Sequence, residues 1–109
     1  MSIDASYLVA EAIVVFRQAH GDIPFTLKFV ADVAKASNCS IDGVCDFSQA
    51  PPEISIRDGL NETELIETLF HELSHLACGF ESGHNEVWEE CRNELSLRFA
   101  ASQIGRCSG

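Results

Sequence analysis

Residues 61–79 read NETELIETLFHELSHLACG, and their reading decides the fold. Asn61 with Glu64 three positions later has the form of a capping box, in which two side chains satisfy backbone N–H groups at a helix start. Leu65, Ile66, Leu69, Phe70, Leu73 and Leu76 then recur at helical spacing. Gly79 suits the end, because glycine leaves a helix at little steric cost. The spacing predicts an amphipathic helix of about 17 residues. Its apolar side chains form one stripe, and Thr68, His71, Glu72 and His75 form a polar one beside it.

The polar stripe contains the pattern H-E-x-x-H. Residues four apart share a helix face about 6 Å apart along the axis, so His71 and His75 are expected to aim imidazole nitrogens at one ion. Zinc takes such ligands at about 2.0–2.1 Å. Glu72 is turned by about 100° from His71, which makes it no obvious ligand but leaves it within reach of water held at the metal. There it is expected to act as the catalytic base, while the metal lowers the pKa of water from 15.7 to about 7. The bland alternative is a solvated face, or a satisfied core pair, holding two histidines by chance. The capped helix and a third histidine close by argue against it.

A catalytic zinc usually has three protein ligands and one open position. The residues leave three candidates for the third. Glu81 stands at the ligand position of the pattern H-E-x-x-H-x-x-G-x-x-H, but Cys78 occupies its glycine position, so that pattern fails twice. Glu94, with Glu90 as a weaker version, lies far enough downstream to complete a His₂Glu site. His84 follows a loop with glycine at each end, Gly79 and Gly83, and is favoured because imidazole suits zinc.

Upstream, apolar residues at Leu8, Ile13 and Phe16 predict a first helix over residues 5–19, ended by Gly21. Ile23, Phe25, Leu27 and Phe29 alternate with Pro24, Thr26, Lys28 and Val30, the clearest strand signal in the chain. Residues 38–46 carry no readable pattern. Glu53–Arg57 alternates again behind Pro51 and Pro52, and is expected to be a half-buried strand near a sheet edge, since proline cannot donate to a ladder. Beyond the loop, Val87, Trp88, Cys91, Leu95 and Phe99 predict the buried face of a last helix, with Trp88 its anchor in the core. The fold class is therefore α+β, a small antiparallel or mixed sheet packed against the motif helix and flanking helices.

The whole chain of 109 residues is read as a single domain, large enough to bury one core. No apolar run approaches the roughly 20 residues needed to span a bilayer. The first residues lack the basic start and small-residue cleavage site of an export signal, so a soluble, cytoplasmic protein is expected. The five cysteines include no C-x-x-C pair and are read as free thiols. Seventeen acidic residues against seven basic ones give a net charge of −10. Such a surface repels phosphate, which argues against direct nucleic-acid binding and leaves protein or peptide partners, basic ones above all. His20 reads as a helix-end residue, with Tyr7 and Arg98 the other imaginable helpers of catalysis.

From HELSH at 71–75, through His84 after a short loop, to Trp88 four positions on, the chain resembles the SprT-like zincin metallopeptidases and their WLM-type relatives. The specific match covers about residues 64–90, with Asn85 where the family often has glycine. The resemblance implies a minimal zincin-like fold, zinc held by His71, His75 and His84, and Glu72 as the catalytic base. It also implies that the strand before the motif helix, here Glu53–Arg57, borders the substrate cleft. The DNA-linked proteolysis of some relatives is not expected of so acidic a chain. The function read from the sequence is zinc-dependent hydrolysis of peptide bonds. The alternative is a non-catalytic, zinc-stabilised acidic module that binds protein.

Overall fold

A computed structural model describes residues 3–31, 42–79 and 85–107. Its order is α1 (Ile3–His20), β1 (Thr26–Val30), β2 (Gly43–Asp46), β3 (Glu53–Arg57), α2 (Glu62–Cys78) and α3 (Glu86–Cys107). This is an α+β architecture with a three-stranded mixed sheet in the order β1-β3-β2. β1 runs parallel to β3, Leu27 opposite Ile54, and β2 runs antiparallel to it, Cys45 opposite Ile54 on the other side. None of the described helices is long and apolar enough to cross a membrane.

The motif helix forms as its local signals require. The Asn61 side chain accepts from the Glu64 N–H at 2.8 Å, and the Glu64 carboxylate accepts from the Asn61 N–H at 3.2 Å. Two orphan donors of the first turn are thereby satisfied. At the other end Gly79, at φ 92°, donates its N–H to His75 O at 2.8 Å. α1 closes the same way, with Gly21 at φ 81° donating to Arg17 O.

α2 is the centre of the molecule, flanked by α1 and α3 and lying on β2 and β3. Leu69 and Leu73 are fully buried with Phe16 of α1, Ile54 and Ile56 of β3 and Leu95 of α3. Each such side chain contributes about 1.5–3 kcal/mol by leaving water, so one continuous core carries both the sheet and the helices. On α3, Trp88, Cys91 and Leu95 face inward and Phe99 is half-buried. Val87, expected on that face, is 62% exposed, because α3 begins at Glu86 and its first turn points Val87 away from α2.

One expectation about the sheet is overturned. β3 is its central strand, with partners on both sides, and Ile54, Ser55 and Ile56 are all buried. Pro51 and Pro52 precede the strand and remove no donor from its ladder, and the Pro52 carbonyl accepts from Thr26 N–H at 3.0 Å. The unreadable stretch before it also holds a strand, β2, joined to β3 by a short loop. Asp46 starts that loop by accepting from Ser48 N–H at 2.9 Å and Ser48 Oγ at 2.6 Å, bonds that hold its carboxyl below the usual range.

Candidate metal site

His71, Glu72 and His75 come together on α2, each with a ligand atom within 4.8 Å of the others. The Nε2 atoms of His71 and His75 are 3.3 Å apart. Two nitrogens at about 2.05 Å from one zinc, subtending a tetrahedral angle, are separated by about 3.3 Å, so the pair already has the span a bound ion requires. Both rings are half-buried, which leaves an approach from one side.

Trp88 of α3 sets those rings. Its indole N–H donates to the His71 carbonyl at 3.2 Å, its ring meets His71 edge-on at 4.8 Å, and it stacks on His75 at 5.4 Å and 28°. The predicted anchor is therefore also a wall of the site, fixing ring orientation as the outer partners of metal ligands do. Trp88 is held in turn by α3's own start, where Asn85 Oδ1 accepts its backbone N–H at 3.0 Å.

Glu72 is only 2% exposed, so the face it occupies is covered rather than solvated. The cover is β2. A Cβ at Gly43 would lie 2.7 Å from Thr68 Cγ2 and 3.3 Å from both Cγ and Oε2 of Glu72. Only glycine lets the strand backbone approach this closely. Burial pushes the Glu72 carboxyl up from 4.5 to about 7, and its Oε2 is buried without a hydrogen-bond partner, 3.9 Å from His71 Nε2. A buried carboxylate oxygen beside two convergent imidazoles is a donor set suited to a divalent metal and its water.

No family model, curated protein or solved structure matches the chain.

Of the candidates for a further ligand, His84 and Glu81 lie outside the described residues. Glu94 is half exposed on α3, paired with Arg98 at 3.8 Å, and Glu90 is exposed beside it. Neither glutamate belongs to the group that His71, Glu72 and His75 form. His20 sits between α1 and α3, its Nε2 3.3 Å from Cys91 Sγ and its ring 5.3 Å from Phe16, so it serves that interface. Cys78 and Cys91 are free thiols.

Gly43 and the buried Thr68 contribute to the site without belonging to its motif. The one sequence signal for Gly43 was its position, an isolated glycine beside the short run Val44-Cys45, which often marks a close approach of another segment.

Proposed function

We propose that this chain is a zinc-dependent metallopeptidase of the zincin type, akin to the SprT-like and WLM enzymes, acting on protein or peptide substrates inside the cell. The observation that carries the reading is the 3.3 Å convergence of His71 and His75 next to a buried carboxylate whose Oε2 has no partner. His71 and His75 hold the ion, with His84 the favoured third ligand. Bound zinc supplies Lewis acidity, lowering the pKa of water and polarising the substrate carbonyl.

The protein's own part is proton handling and positioning. Glu72, buried beside the two imidazoles with its Oε2 free of a protein hydrogen bond, is placed to act as the base toward water held at the metal. It takes the proton of the attacking water on Oε2 and delivers it to the leaving amide nitrogen, which departs as an amine. β2 keeps bulk water from Glu72, and Trp88 keeps both imidazoles in the ligating orientation.

The test joins metal content to hydrolysis. Glu72→Gln is expected to retain one zinc per chain, by elemental analysis after dialysis, and to lose cleavage of a casein or peptide-library substrate. Cleavage at the wild-type rate by that variant would end the mechanism. Separate His84→Ala and Glu94→Ala variants assign the third ligand, with His84→Ala expected to lose the metal.

A second reading is favoured by one observation, the closeness of the Glu72 carboxylate to the two imidazoles. Ligation by Glu72 together with His84 gives four protein ligands, a closed site of the structural kind. The protein is then a zinc-stabilised acidic binding module without hydrolytic activity, and Glu72→Gln loses zinc and, with it, folding stability.

A further inference from the structure

Two hollows lie where α3 meets α2. One, of ≈ 400 Å³, is lined by His71, Trp88, Thr68 and the charged Glu67, Glu89 and Arg92. The other, of ≈ 360 Å³, has Leu8, Ile66, Phe70 and Phe99 on its floor and Glu62 and Glu67 on its rim. Glu67 borders both. The α3 residues that line them, Glu89, Arg92, Ser96 and Phe99, are spaced three, four and three apart, which puts them on one face of that helix. The two hollows therefore adjoin at Glu67 along that face of α3, the second bounded also by Leu8 of α1, and together they are treated as one groove. It begins at the candidate metal site and runs about 15 Å, the rise of ten helical residues.

We propose that this groove binds the substrate, and that the substrate segment carries a bulky apolar side chain next to a lysine or arginine. The proposal rests on the peptidase reading of the same site. Fifteen ångströms accommodates about four or five extended residues at about 3.3 Å each, so a segment whose apolar side chain fills the Phe70–Phe99 hollow reaches His71 with its backbone. Phe70 and Phe99 meet edge to face at 5.5 Å and form a fixed aromatic floor.

The charges select the neighbour of that side chain. Glu62, Glu67 and Glu89 are exposed along the groove against one cation, Arg92, whose guanidinium lies over the Trp88 ring at 5.6 Å. The net charge of −10 adds a long-range field of the same sign, which draws cationic peptides and repels nucleic acid and anionic membranes. Gly43 of β2 covers Glu72 and meets the Thr68 methyl at the border of the hollow, and β3 has strands on both sides. The groove reaches His71 from the flank that β2 leaves uncovered.

Binding is measured by fluorescence anisotropy on the zinc-dialysed Glu72→Gln protein, with dye-labelled, end-blocked peptides of sequence Gly-Lys-Phe-Lys-Gly-Gly. Counterparts replace the phenylalanine by serine or both lysines by glutamate. The parent peptide is expected to bind at least about tenfold tighter than either counterpart. Ser96→Trp, an exposed position that fills the apolar hollow, is expected to abolish the preference for phenylalanine, and Glu67→Lys the preference for lysine. Equal affinity for the three peptides, or an unchanged preference in Ser96→Trp, overturns the proposal. Binding is read without turnover, so a groove that discriminates while the wild type hydrolyses nothing removes the peptidase reading alone. Hydrolysis by the wild type without discrimination removes the groove alone.

Discussion

Replacing Glu72 by glutamine in the metal-free protein should remove most of one component of its pH dependence. The carboxyl titrates at about 7 in the folded chain, against 4.5 when unperturbed, and the cause is desolvation of a side chain that is 2% exposed. At 1.36 kcal/mol per pH unit, that gap of about 2.5 corresponds to about 3 kcal/mol. The sign follows from proton counting. Below pH 4.5 both states hold the proton and there is no penalty; between 4.5 and 7 the folded state binds more protons than the unfolded one, so stability falls as pH rises. Above pH 7 the folded protein carries an ionised carboxylate in a dry site and the full cost persists. Glutamine has the same shape and never ionises, so the stability difference between variant and wild type should grow by most of 3 kcal/mol from pH 5 to pH 8.5. Urea unfolding in the presence of a chelator reads this directly, with fluorescence from the single tryptophan, buried against the two histidines, as probe. A difference that stays flat within about 0.5 kcal/mol across that range would show that Glu72 is hydrated, and the account of β2 as a dry cover over its carboxylate would fall with it.

Gly43→Ala places a methyl 2.7 Å from Thr68 Cγ2 and is expected to cost about 1–3 kcal/mol in urea unfolding. Thr68→Ser, which removes that methyl, should recover part of the loss in the double variant. Trp88→Phe keeps the ring contacts but loses the N–H bond to His71 O, and should weaken zinc binding about tenfold or more, measured by competition with a chromophoric chelator. Asn61→Ala breaks the capping box and should lower stability by about 1 kcal/mol without changing zinc stoichiometry, which separates folding of α2 from assembly of the site.

The motif helix was legible in full because everything that defines it is local. Asn61 and Glu64 meet across three residues, the leucines repeat with the helix, and Gly79 ends it within one turn of His75. The strand at Thr26–Val30 was legible for the same reason, its inward Leu27 and Phe29 alternating with exposed Thr26 and Lys28, although Ile23 and Phe25 precede its ladder. What failed was neighbourhood. β2 is four residues long, too short for a period, and the prolines before Glu53 suggested an edge because nothing in one strand reveals how many partners it has.

The sequence by itself determined the polar stripe Thr68, His71, Glu72 and His75, since a spacing of three and four residues puts side chains on one helix face whatever surrounds it. Only the tertiary structure decided what that face became. β2, brought in by pairing with β3, buries Glu72 and raises its carboxyl, while α3 sets Trp88 against the two imidazoles. Desolvation and ring orientation depend on atoms distant along the chain, and no periodicity within α2 encodes them.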